Sequence, residues 1–148
     1  METQPDFKEL LELFNAHSVN YVIVGAYALA FHGAPRYTGD LDIFVQPTVG
    51  NAASVMAALR DFGFGKVGIT EADFTKPDIV VQLGYPPVRV DLMTSITGVT
   101  WEAVDRGAVA GEYGNVHVRY IGKDEYKINK RQLGRKKDLA DVEALGED

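Results

Sequence analysis

Apolar residues recur at two different spacings along this chain, and the switches between them mark out its elements. Phe7, Leu10, Leu11 and Phe14 fall at i, i+3, i+4 and i+7, the stripe of an amphipathic helix. Asn20 then leads into Tyr21-Val22-Ile23-Val24, a β-branched run that reads as a buried strand. Gly25 passes into a helix-favouring stretch, Ala26 to Phe31, that closes at Gly33 and Pro35. After a loop over Arg36–Gly39, Asp40 to Gln46 alternate: Leu41, Ile43 and Val45 point one way, Asp40, Asp42 and Phe44 the other. Ala52, Val55, Met56 and Leu59 mark the next helix, ended near Gly63 and Gly65. A strand is predicted over Ile79–Leu83, then a turn at Gly84-Tyr85-Pro86-Pro87. Val88, Val90 and Leu92 next alternate against Arg89, Asp91 and Met93. Trp101–Arg106 reads as a short helix, Val116–Tyr120 as a strand, and Lys123 to Leu145 as helix interrupted at Gly134.

The order α-β-α-β-α-β-β, followed by one more strand and terminal helices, predicts an α/β or α+β fold. Its mixed sheet would carry helices packed on it. With no internal repeat and no low-complexity linker, residues 1–148 are expected to form a single domain. A chain of 148 residues can bury roughly two-thirds of its unfolded surface.

Composition narrows the chemistry. The chain has no cysteine, which removes disulfides, thiolate catalysis and Cys-based zinc sites. Its start, METQPDFKELLELF, lacks the basic flank and apolar run of a signal peptide, and no apolar stretch approaches the roughly 18 residues of a membrane span. A soluble, cytoplasmic protein is expected, without membrane contact. A net charge of −6 and a pI near 5.0 argue against bulk binding of duplex DNA but not against one nucleotide or an RNA end.

Asp40 and Asp42 are the first candidate site. One residue apart on a strand, they share a face, with Cα atoms roughly 6–7 Å apart. Two such charges repel unless a cation lies between them, and hard oxygen ligands suit magnesium or manganese. Taken alone, D-x-D is a weak sign, because two solvated aspartates at the start of an edge strand would read the same. Three features strengthen it. Gly25, at a strand-to-helix turn, would let backbone amides approach phosphate oxygens. Asp91 sits in an apolar strand where aspartate is disfavoured. A salt bridge from Asp91 to Arg89 is set aside on the reading that the two point to opposite faces, so a third metal ligand is preferred. Finally, Lys123, Lys127, Lys130, Arg131, Arg135, Lys136 and Lys137 crowd the last helices. A solvated face partnered by Asp138 and Asp141 is the ordinary reading of such a run, but Lys127 with Lys130 or Arg131 could reach a triphosphate.

These residues carry a resemblance. The run V-G-A-Y-A-L-A-F-H-G-A-P-R-Y-T-G-D-L-D-I-F-V, then Q-L-G-Y-P-P-V-R-V-D-L-M-T-S-I-T-G-V, then N-K-R-Q-L-G-R-K-K-D-L-A-D-V-E-A-L resembles the nucleotidyltransferase (DNA polymerase β-like) superfamily. More narrowly it resembles its bacterial AbiEii-type members, which include toxin components of toxin–antitoxin systems. The match spans most of the chain from Tyr21 to Leu145. It implies metal ligands Asp40, Asp42 and Asp91 and a phosphate-binding turn at Gly25-Ala26, where relatives carry Gly-Ser or Gly-Gly. It further implies nucleotide contacts from Arg36, Thr38 and Lys130. The implied reaction is magnesium-dependent transfer of a nucleoside monophosphate from a nucleoside triphosphate to an acceptor hydroxyl. Two magnesium (or manganese) ions would serve it, and the acceptor would be an RNA end, a protein or a small molecule. A cognate antitoxin or other partner protein would fit a toxin–antitoxin role. The alternative is a catalytically degenerate nucleotidyltransferase fold acting as a binding or antitoxin-like module, with Ala26 in its favour.

Other phosphate- and metal-binding patterns fail. In haloacid-dehalogenase-like phosphatases and sugar-nucleotide glycosyltransferases an apolar strand precedes the acid pair, whereas here Ile43-Phe44-Val45 follows it. An EF-hand loop would need oxygen and glycine where Phe44 and Val45 stand. His17, His32 and His117 are scattered and read as surface or helix-end residues, and Trp101 as core.

Overall fold

The structure, a computed structural model, describes residues 3–34, 39–64, 68–85 and 88–146. In chain order the elements are α1 (Pro5–Ala16), β1 (Tyr21–Val24), α2 (Gly25–Phe31), β2 (Asp40–Val45), α3 (Val49–Phe62) and a 3-10 turn (Glu71–Phe74). They continue with β3 (Val80–Tyr85), β4 (Val88–Met93), α4 (Trp101–Gly107), β5 (Val109–Tyr113), β6 (Val116–Tyr120), α5 (Lys123–Leu133) and α6 (Lys136–Ala144). Local chemistry sets several of the boundaries. Pro5 opens α1, where a missing N–H costs nothing. Thr48 and Thr100 cap α3 and α4 by accepting from the backbone N–H of Asn51 and Ala103, at 3.3 and 3.2 Å. Gly134, at φ +70°, ends α5 and allows α6 to turn back.

The six strands form one mixed sheet in the order β3-β4-β2-β1-β6-β5. β2 runs antiparallel to β1 and parallel to β4, β1 runs parallel to β6, and β3 and β5 are antiparallel edges on β4 and β6. The stripe Phe7, Leu10, Leu11 and Phe14 is fully buried and shares one core with Leu41, Ile43 and Val45 of β2 and with Ala52, Val55 and Leu59 of α3. The mixed α/β architecture therefore follows the sequence pattern.

Three details depart from that pattern. β5 was not foreseen, since Val109–Tyr113 alternates weakly and carries a glycine. β3 runs on through Gly84 and Tyr85, which pair with Arg89 and Val88, where a turn was expected; Pro86 and Pro87 lie outside the described residues. Phe44 shares a face with the two aspartates yet is buried, its ring edge-on to Trp101 with centroids 5.2 Å apart. The face bearing the acids is thus capped at one end by an aromatic pair.

Candidate active site

The parallel pairing of β2 with β4 brings the three acids together. Asp42 stands in register with Asp91, and Asp40 with Arg89. Because side chains alternate along each strand, all four project from one face of the sheet. Asp91 is buried at 8% exposure, which desolvates a charge that an open strand would leave to water.

Arg89 corrects an expectation. It lies two residues from Asp91, not one, so the pair shares a face and a salt bridge forms. Its Nε donates to Asp91 Oδ1 at 3.1 Å and its terminal nitrogen to Asp91 Oδ2 at 3.2 Å. The same terminal nitrogen donates to Asp40 Oδ2 at 2.8 Å. One guanidinium therefore spans two strands and holds two of the three carboxylates. The alternation that marked Asp91 also marks Arg89, and that was the signal available in the sequence.

Asp42 is left outside this fork and forms no salt bridge among the described residues. Burial pushes its carboxyl up to about 6, and the charges of Asp91 and Asp40 push the same way, against weaker opposing pulls from Lys130 and Arg89. An aspartate so placed is a strained anion that any added cation would relieve.

Gly25 sits directly against Asp42. It takes φ +68°, and a Cβ built on it would come within 3.0 Å of the Asp42 Cβ and Cγ and closer still to a carboxylate oxygen. Both conditions demand glycine. Val24, paired with Asp42 across β1 and β2, fixes this approach. Gly25 also opens α2, with Ala26 in the first turn, where helix N–H groups lack intrahelical acceptors.

Gly25 and Asp42 line a cleft of about 250 Å³ together with Lys130 of α5 and residues Ser95 to Thr97 that follow β4. α5 is held against that loop by Asn129, whose amide donates to the Thr97 carbonyl at 2.9 Å. Lys130 is half-withdrawn from water, which lowers its ammonium below the usual lysine range, while Asp138, Asp141 and Asp42 pull it back up. Its Nζ lies 3.8 Å from Asp138 Oδ1 and 5.4 Å from the centre of the Tyr126 ring. Asp138, fully buried, also accepts from Arg135 Nε at 2.6 Å. The charge run of α5 and α6 is accordingly divided: Arg131, Arg135, Lys136 and Lys137 are exposed, as a solvated face requires, whereas Lys127, Asp138 and Asp141 are buried. Sequence reasoning did not assign Asp138 the task of seating Lys130.

Arg36 and Thr38 lie outside the described residues. The histidines stand where expected: His17 and His32 end α1 and α2, held by Asp61 and by the Ile121 carbonyl, and His117 is exposed. Trp101 belongs to the core.

As the side chains stand, no group of three or more His, Asp or Glu among the described residues is disposed to hold a metal ion. The donor set nevertheless fits a hard divalent cation: three carboxylates on one face, one of them with its charged form disfavoured by burial and by the charges of the other two. What occupies the Asp40–Asp91 side in their present positions is Arg89.

No family model and no curated protein matches the chain. Solved structures do. A candidate nucleotidyltransferase from Thermotoga maritima superposes with a TM-score of 0.63 at 16% identity, covering 96% of this chain and 93% of that one. The antibiotic-resistance factor ANT(2'')-Ia gives a TM-score of 0.55 at 11% identity, covering 95% and 80%. The lincosamide antibiotic adenylyltransferase LnuA, solved with lincomycin, gives 0.53 at 14% identity, covering 97% and 96%. The chain has the nucleotidyltransferase-like fold along nearly its whole length.

Proposed function

We propose that this protein is a metal-dependent nucleotidyltransferase that moves a nucleoside monophosphate from a nucleoside triphosphate to a hydroxyl acceptor. The observation that carries this reading is the register of Asp42 with Asp91, where Asp42 lines one cleft with Gly25 and Lys130, on a fold similar to that of solved nucleotidyl- and adenylyltransferases. Asp40, Asp42 and Asp91 would hold magnesium or manganese, which would supply charge neutralisation on the triphosphate and lower the pKa of the attacking hydroxyl. Gly25 and the first turn of α2, with Ala26, would admit the phosphates close to the backbone. Lys130, seated by Asp138, would place an ammonium against the phosphate chain across the cleft from Asp42, and Arg36 and Thr38 would complete the nucleotide contacts. Positioning and charge compensation are the chemistry such a site offers.

For the acceptor, a small hydroxylated molecule is the preferred class. Of the similar structures, one is an antibiotic-resistance factor and another a lincosamide antibiotic adenylyltransferase, and a net charge of −6 disfavours a nucleic-acid acceptor. Labelling an RNA end or a protein would instead point to an AbiEii-like toxin–antitoxin role, with an antitoxin as partner. Incubation with each labelled triphosphate, manganese or magnesium, and cell extract separates these classes. Transfer that persists undiminished in Asp42→Asn would overturn the reading.

A second reading has one observation in its favour. Arg89 already engages Asp40 and Asp91, as a metal-free binding module would require. Calorimetry with the four triphosphates and magnesium tests it: a module of that kind binds none of them with metal dependence.

A further inference from the structure

Three carboxylates share one sheet face, and among the described residues two of them, Asp40 and Asp91, form salt bridges with a single arginine. Arg89 stands in register with Asp40 and two residues before Asp91, so its planar fork reaches both, at 2.8 Å and at 3.1 and 3.2 Å. A guanidinium is always charged and matches carboxylates in this forked fashion, where a lysine would act as a point charge. The side chain is partly shielded, at 27% exposure, and pairs with the buried Asp91, so the contact is more than a loose surface pair.

We propose that Arg89 is a resident counter-ion that a divalent cation must displace. It closes the Asp40–Asp91 side of the face in the metal-free protein, sets the affinity of the site for metal, and is released toward the cleft when metal loads. This deepens the proposed function and rests on it. The consequence is a threshold: metal binding costs the breaking of a two-strand ion pair, so weak or lone cations are resisted. A cation arriving with a polyphosphate, which offers the freed guanidinium a new anion, is favoured. Arg89 is thus a positioning residue that couples metal loading to triphosphate binding.

The test is manganese binding by the protein, followed by calorimetry and by the paramagnetic signal of free manganese, without any turnover. Arg89→Gln is expected to bind manganese roughly tenfold more tightly than the unmodified protein. Arg89→Lys, which keeps the charge and loses the fork, should fall between the two and guards against a folding defect in the first variant. Arg119→Gln removes an equal charge from the pair with Asp105 outside the cleft and should change nothing. Adding a non-hydrolysable triphosphate should tighten manganese binding more in the unmodified protein than in Arg89→Gln. Equal affinities in the unmodified protein and both Arg89 variants would overturn this inference alone. Absence of manganese binding in all of them would overturn it together with the metal-dependent reading of the site.

Discussion

Gly25 and Asp42 touch: the α-carbon of one leaves no room for a side chain because the carboxylate of the other fills it. The last residue of β1 pairs with Asp42, so the turn into α2 is pressed against the acid that lies outside the Arg89 fork. The turn at Gly25 and the acid cluster are therefore one packed unit, expected to respond as one to substitution.

Gly25→Ala should fail twice, through a strained positive φ and through displacement of Asp42. A loss of about 1–3 kcal/mol is expected in urea unfolding, with loss of metal-dependent nucleotide binding. Ala26→Gly or Ala26→Ser, by contrast, should leave the midpoint within about 1 kcal/mol of the original.

Asp42 makes the metal-free protein sensitive to pH. Folding raises its pKa from 3.8 to about 6, so folding favours the protonated form. Its contribution to stability is fully present below pH 3.8, fades as the pH climbs through 6, and is gone above that. Thermal melts in chelator should accordingly show stability falling between about pH 4 and 6. Asp42→Asn should flatten that fall and stabilise the metal-free protein at pH 7.5 by about 1–3 kcal/mol. An Asn variant with the same pH dependence as the original would place the titration elsewhere.

Lys130 and Asp138 separate binding from folding. Lys130→Gln should weaken triphosphate binding by roughly tenfold while moving the unfolding midpoint little, since it forfeits one charge-assisted contact. Asp138→Asn strands the ammonium of Lys130 away from water, whereas Arg135, more than half exposed, can turn outward. About 1–3 kcal/mol of stability should go with it, along with a similar share of nucleotide affinity. Calorimetry and denaturant melts on the two variants check the split.

Phe44 gives an optical handle. It abuts the chain's single tryptophan, Trp101. Phe44→Ala should cost about 3–5 kcal/mol through the cavity it opens and shift the tryptophan emission to the red as water reaches the indole.

Much of this architecture could be read from the chain because its periodicities are clean. The α1 stripe, the strands at 21–24, 40–45 and 116–120, and the break at Gly134 all reflect local rules, and each recurs in the fold. β5 escaped because Val109–Tyr113 is a short edge whose partner, β6, decides its conformation. The grouping of Asp40, Asp42 and Asp91 was legible as residue types on strands, but their register was not, since a parallel pairing across nearly fifty residues has no local signature. Arg89 was lost to miscounting a face that alternation specifies outright. The burial of Lys127, Asp138 and Asp141 could not be foreseen either, because a charge run reads as solvent-facing until the two terminal helices are packed together.

The pairing of β2 with β4 also divides the chain into parts that can change length and a part that cannot. Residues between the two strands travel out through α3 and return along β3, which pairs with β4, so additions to the loops around α3, ahead of β3, leave both ladders untouched. A single residue inserted just ahead of Arg89, if it slid β4 by one position against β2, would exchange Arg89 and Asp91 for Val90 and Leu92 on the face of the cleft. The site would then hold two aspartates facing hydrocarbon, with their arginine and third acid turned into the core. Tolerance to loop grafting should therefore be broad over the α3 excursion and vanish within the few residues that lead into β4.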